Sequence, residues 1–198
     1  MSTRTAITSL GVRGITTTAL LSAAAAILMF LDFAVPIFPT FLKMDLSDVP
    51  ALMAAFAIGP GAAIAVEFIK NAVNIAYTHT GGIGELANFL IGISFAVPAG
   101  IIYKRRRTRG GACIGMASGV IAMSVVAAVA NYLVLVPLYS RIIPLDTMIN
   151  AYMAINPYAN TLGKVILMSI VPFNLCKGVV VSLITFALYK RISPIVKG

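Results

Sequence analysis

Apolar residues run along this chain in long blocks separated by short polar breaks. The first block covers Ile15–Val35 and stops at Pro36 and Pro39. A polar loop, Thr40–Asp48, leads into a run from Val49 to Tyr77 that is too long for one helix. Gly59-Pro60-Gly61 punctuates that run, so it splits into Val49–Ile58 and Ala62–Tyr77. After the loop His79–Gly82 come three further blocks, Glu85–Tyr103, Ala112–Leu138 and Leu162–Tyr189. Ser140–Asn160, with Pro144 and Pro157, reads as a longer connection. At about 20 apolar residues per crossing, the pattern predicts six transmembrane helices in a single membrane domain. The fold class is therefore an all-α integral membrane protein.

Composition excludes the main competing class. Hydrophobic residues make up 60% of the chain and charged ones 11%, with a mean hydropathy of +0.98. A soluble domain carries roughly 25% charged residues, so this chain cannot cover itself in water. Met1–Thr18 lacks a small-residue cleavage site followed by a polar region, and the first block is read as a retained span.

Charge adds orientation. The net charge is +9, yet the basic residues flank apolar blocks, which does not suit nucleic acid. Lys104, Arg105, Arg106, Arg107 and Arg109 form one compact turn, placed on the cytoplasmic side by the excess of Lys and Arg in cytoplasmic loops. Alternation then brings Arg4, Arg13, Lys190, Arg191 and Lys197 to the same side, with both termini cytoplasmic. Lys43, Arg141 and Lys164 fall outside. All six acids, Asp32, Asp45, Asp48, Glu67, Glu85 and Asp146, fall in the outer half. The expected location is the cell membrane, crossed many times.

Polar groups within the blocks carry the remaining information, because an ionised residue at mid-bilayer costs about 2.5–3.5 kcal/mol. Glu67, Lys70, Asn71 and Asn74 share one helical face. They form either a self-satisfied network of Glu67 with Lys70 and Asn71 or a wall that faces a ligand. Asn174 and Lys177 share a face just after Pro172. Lys177 lies too deep for easy snorkelling; its partner is Glu67, a backbone carbonyl freed by Pro172, or a ligand. Asn131 reads as an interhelical hydrogen bond or a further ligand contact. Glu85 and Asn88 open the fourth span on one face. Together these positions describe a cup open to the outside, suited to a neutral, hydrogen-bonding ligand more than to a bare ion.

Catalysis finds no support. There is no His-Glu-x-x-His, no Ser/His/Asp set and no metal-ligand spacing around Cys113 or Cys176. His79 is the single histidine and reads as a loop residue. No Walker A sequence is present, so ATP-driven work must come from a partner. Ala19 and Ala23, one helical turn apart, either pack inside the bundle or make a smooth face that docks to another protein.

Phe41-Leu42-Lys43-Met44-Asp45-Leu46-Ser47-Asp48-Val49-Pro50, then Phe56-Ala57-Ile58-Gly59-Pro60, resembles the first loop and second span of the S components of energy-coupling factor (ECF) vitamin transporters. Glu67 to Asn74, followed by Gly84-Glu85-Leu86-Ala87-Asn88-Phe89, extends the resemblance toward the riboflavin-binding branch. The resemblance implies a six-helix binding subunit that holds riboflavin near the outer face as a transported ligand, with no resident cofactor. It implies flavin contacts at Asn131, Asn174 and Lys177. Beside these, a flavin's apolar end calls for walls such as Met44 and Leu46, and its ribityl chain for partners such as Asp45, Ser47 and Asn88. The resemblance further implies docking, through Ala19 and Ala23, to a transmembrane coupling protein of the EcfT type and two ATPase subunits. The Asp-x-Ser-Asp-x-Pro loop is shared with sister branches, so an S component for another vitamin is one alternative. A small membrane enzyme or assembly factor built on the same polar cluster is the other.

Overall fold

The computed structural model describes residues 11–39, 42–78 and 80–197, with side chains through 188. Arg4, Phe41 and His79, and the side chains of Lys190, Arg191 and Lys197, lie outside the described residues. The chain begins with helix α1 (Val12–Phe30), which buries Thr18, Ser22, Ala25, Ala26 and Met29. It does not fill its apolar block. Phe33–Ala34 (β1) pairs antiparallel with Lys43–Met44 (β2), Phe33 opposite Met44, and Lys43 bridges to Asp32 at 3.1 Å across the base of this hairpin. The expected span to Val35 is thus corrected: the helix stops at Phe30. Hydropathy reported an apolar environment, while Pro36 disfavours helical geometry at the residue before it.

Helix α2 (Asp48–Ala57) follows, buried along nearly its whole length, in contact with α1, the last helix of the chain and the two helices that come next. Gly59, with φ of 138°, makes the turn that only a residue without Cβ enters freely. Pro60 then opens α3 (Pro60–Ile75), where its missing N–H costs nothing. Helix α4 (Ile83–Arg105) ends in the basic turn. Helix α5 (Arg109–Ala130) starts there because Thr108 accepts the Gly111 N–H at 3.0 Å.

Helices α4 and α5 approach closely through glycines spaced four apart. A Cβ at Gly115 would lie 2.7 Å from the Ala99 carbonyl oxygen, and Gly119 faces Phe95 in the same way. Small residues at this spacing let helix backbones meet. Gly115→Leu is expected to force the pair apart and cost on the order of 1–3 kcal/mol. Thermal unfolding in detergent checks this; an unchanged midpoint would mean that the α4–α5 contact tolerates bulk.

Two π-helical turns interrupt the remaining long helices. Residues Asn131–Leu135 form the first, between α5 and α6 (Val136–Tyr139), and the Val136 N–H reaches back to the Asn131 carbonyl. Residues Ile166–Ile170 form the second, between α8 (Leu162–Val165) and α9 (Val171–Lys197), where the Val171 N–H reaches the Ile166 carbonyl. Each widening ends two residues before a proline, Pro137 or Pro172. A proline ring inside a helix clashes with the carbonyl four residues back, and one wide turn relieves that clash. The long connection is also more ordered than expected: Leu145–Met153 forms α7 after Pro144, with Asp146 in its first turn.

Four helices among the described residues, Val12–Phe30, Ile83–Arg105, Arg109–Tyr139 and Leu162–Leu188, are long and apolar enough to cross a membrane. Large apolar side chains such as Leu20, Ile121, Leu133 and Leu167 cover their outward faces. By contrast α2 is about 15 Å long and α3 about 24 Å, short of the roughly 30 Å hydrocarbon core. The core between them is Ala51, Leu52, Ala55, Ala63, Val66, Phe95, Ala99, Met123 and Val181. Short α2 therefore hangs at the centre of the bundle, and its first residue is Asp48.

Candidate binding site

The hairpin is held onto α9 by an apolar contact. Met44 is buried against Phe38 and Phe173, whose rings meet edge to face at 5.2 Å. This brings the next residues, Asp45-Leu46-Ser47, over the buried end of the bundle. Asp45 Oδ1 accepts the Ser47 N–H at 2.9 Å and also the Ser47 hydroxyl, a local turn in which the side chain replaces a backbone partner. Leu46 packs against the main core.

Asp45 Oδ2 then accepts from Lys177 of α9 at 2.9 Å, and Asp48 Oδ2 lies 3.2 Å from the same ammonium. The other oxygen of Asp48 accepts from Lys70 of α3. Lys70 also donates to Ser47 Oγ at 2.8 Å and to Glu67 Oε1 at 3.0 Å. Three carboxyls and two ammoniums are thus linked into one chain of contacts across the hairpin, α2, α3 and α9. Glu67 and Lys70 are fully buried, and Asp45, Asp48 and Lys177 nearly so. Burial, the largest single influence, works to raise the Asp45 carboxyl, but the Lys177 and Lys70 ammoniums and the Ser47 hydroxyl together hold Asp45 below the ordinary carboxylate range. Charges this deep persist only as partners, because desolvation of each costs several kcal/mol. Gly92 of α4 leaves the space that the Glu67 carboxyl occupies: a Cβ there would fall within 2.9 Å of Glu67 Oε1.

The amides lie apart from this chain of contacts. Asn131 Nδ2 donates to the Ala127 carbonyl and Asn174 Nδ2 to the Ile170 carbonyl, each at 2.8 Å and one turn back on its own helix. Asn131 opens the first π turn, and Asn174 follows the second. Asn88 is half-buried on α4. Asn71 Nδ2 donates to the Glu67 carbonyl at 2.8 Å, and its buried Oδ1 has no partner among the described residues. A separate cluster forms around Glu85, which accepts from Asn74 at 3.2 Å, Thr78 at 2.8 Å and Thr80 at 3.2 Å. An apolar groove of ≈ 350 Å³, lined by Ala128, Val129, Tyr132, Leu133, Gly163, Ile166 and Leu167, offers almost no polar partner and suits hydrocarbon only.

The family described as "ECF transporter, substrate-specific component" matches residues 13–189. The chain belongs to that family. It is 38% identical over 181 residues to "Riboflavin transporter RibU" of Staphylococcus aureus (strain TCH60), covering 91% of this chain and 90% of that one. It is 30% identical to "Riboflavin transporter FmnP" of Bacillus subtilis (strain 168), covering 92% and 93%. A solved structure titled "Structure and mechanism of the S component of a bacterial ECF transporter" superposes with a TM-score of 0.74. That match has 34% identity and covers 94% of this chain and 98% of the other. As an S component the chain is a multi-pass membrane protein, a transporter subunit and not an enzyme.

Within this S component the Glu67–Lys70 contact forms as expected from their spacing. Two other expectations are corrected, the partner of Lys177 and the place of Asn74. Lys177 pairs with Asp45 and Asp48, not with Glu67 or a carbonyl freed by Pro172. The expected Glu67–Asn71 contact does form, with Asn71 donating to the Glu67 backbone carbonyl. Asn74 leaves the group altogether for Glu85. Asp48 was missing from the candidate contacts. The sequence marks Asp45, Asp48 and Lys177 as charges costly to bury, with no acid on the helix of Lys177, but nothing in it pairs them. On α1, Ala19 and Ala23 are exposed and the buried face is a different one.

Proposed function

We propose that this chain is the riboflavin-binding S component of an ECF-type uptake transporter. It captures the vitamin at the outer face and delivers it through a transmembrane coupling protein and two ATPase subunits. The observation that carries this reading is the convergence of the hairpin, α2 and α9 on the buried Lys177 ammonium, in a chain whose relatives are named riboflavin transporters. The six longer helices, α1 to α5 and α9, make up the membrane bundle in this reading, with short α2 and α3 reaching through only part of the hydrocarbon core. The basic turn Lys104–Arg109 and both termini face the cytoplasm.

A flavin ring presents an N–H flanked by two carbonyls. Asn131 and Asn174 each keep a carboxamide oxygen to accept from such a donor, and Lys177 donates to an acceptor beside it. Met44 and Leu46 supply apolar wall. Asp45, Ser47 and Asn88 are the partners of the ribityl hydroxyls. Glu67, Lys70 and Asn71 brace the wall behind them, and Asn74 steadies the α3–α4 loop.

Riboflavin is expected to bind once per chain without ATP. Flavin fluorescence should be quenched saturably when the detergent-solubilised protein is titrated. If micromolar riboflavin gives no quenching and another vitamin binds instead, the chain serves a sister branch.

A further inference from the structure

Lys177 is the charge at the centre of the proposed contact, and its surroundings decide what it can offer. The charged groups that face it are Asp45 from the hairpin, Asp48 from α2, and Lys70 and Glu67 from α3. Three carboxyls against two ammoniums leave no uncompensated positive charge for an anionic ligand. An ammonium has three N–H donors; two are directed to Asp45 and Asp48, and one is left for a neutral acceptor such as a carbonyl.

The two acids hold Lys177 in different ways. Asp45 belongs to a short loop after a two-residue strand. Asp48 begins a helix whose next residues, Val49, Ala51 and Leu52, are almost wholly buried in the bundle core. The positive end of that helix further favours a carboxylate there. Among the described residues Asp48 is also the one carboxylate bonded to both Lys70 and Lys177, so it fixes the distance between α3 and α9.

From this placement we infer that Asp48 is a positioning residue, which aims the Lys177 ammonium at a neutral carbonyl of the ligand without touching the ligand itself. The inference rests on the riboflavin reading and names the ligand class its central donor takes. Asp45 is carried by the hairpin loop, whereas Asp48 is anchored by a helix buried in the bundle core.

The test is a double-mutant cycle on riboflavin affinity in detergent, with thermal unfolding as the check on folding. Asp48→Asn is expected to raise the Kd roughly 10-fold or more in the wild-type background. In a Lys177→Met background, where no donor remains to aim, the same change should alter any residual Kd by less than about threefold. Equal losses in both backgrounds would overturn the inference, as would wild-type affinity in Asp48→Asn. If Asp48→Asn does not fold, Asp48→Glu decides. It keeps the charge and moves it by one methylene, so weaker binding supports positioning and wild-type affinity refutes it. A wild-type chain that does not bind riboflavin brings down both the functional reading and this inference. Failure of the variants alone, with wild-type binding intact, brings down only the second.

Discussion

Lys177→Met is expected to lose riboflavin binding and to destabilise the ligand-free protein together. The ammonium separates two buried carboxylates, Asp45 and Asp48, and its removal leaves Asp45 without its bonded counter-ion beside Asp48, which keeps Lys70. Breaking a buried pair by removing one partner typically costs about 3–5 kcal/mol, a large part of the roughly 5–15 kcal/mol that holds a domain together. Adding Asp45→Asn and Asp48→Asn to Lys177→Met should recover much of the stability and none of the binding, because the charges go but the donor stays absent. Asn174→Ala provides the contrast. Among the described residues its amide is bonded to its own helix alone, so it should fold normally and weaken riboflavin by roughly 5- to 150-fold. Thermal unfolding and flavin titration on the same preparations separate these outcomes. If Lys177→Met unfolds at the wild-type temperature, the buried pairs contribute little to the fold; if it also binds normally, the ligand contact lies elsewhere.

Ala19→Trp or Ala23→Trp should do the reverse, leaving binding intact and abolishing uptake. Both alanines are exposed on α1, while the helix buries Thr18, Ser22, Ala25 and Ala26 against the bundle. An indole added to the outward face therefore disturbs neither the core nor the polar cluster. Close approach between membrane helices depends on small residues, and one indole prevents it. Since the chain carries no nucleotide motif, uptake against a gradient requires a docked ATP-driven partner. Flavin titration of the purified variant and riboflavin uptake by cells expressing it are the two measurements. Uptake at the wild-type rate would remove α1 as the docking face; loss of binding would show that the bundle needs those alanines small.

Much of this protein is legible from local pattern. Membrane insertion requires continuous apolar length, and that length is written in consecutive residues. The break at Gly59-Pro60 and the start of α5 after Thr108 are likewise local events, set by φ preferences and capping groups within a few residues. The Glu67–Lys70 contact follows from helical spacing alone. Periodicity is weaker where an apolar segment is extended. Phe33-Ala34 is as hydrophobic as the helix before it, and its strand partner Lys43-Met44 stands across a proline-bearing loop.

The partners of Lys177 were out of reach of any such pattern. Asp45 lies 132 residues away along the chain, and no periodicity links two residues at that separation. Which acid meets which lysine depends on how far α2 hangs into the bundle and on where the hairpin folds over α9. Both are set by packing: by buried Ala51 and Leu52 in one case, by Met44 against Phe38 and Phe173 in the other. Asn74 parted from Glu67 for the same reason, because Glu85 on the neighbouring helix came within 3.2 Å. Local sequence therefore decides which residues are costly to bury, and the tertiary fold decides which of them neutralise one another.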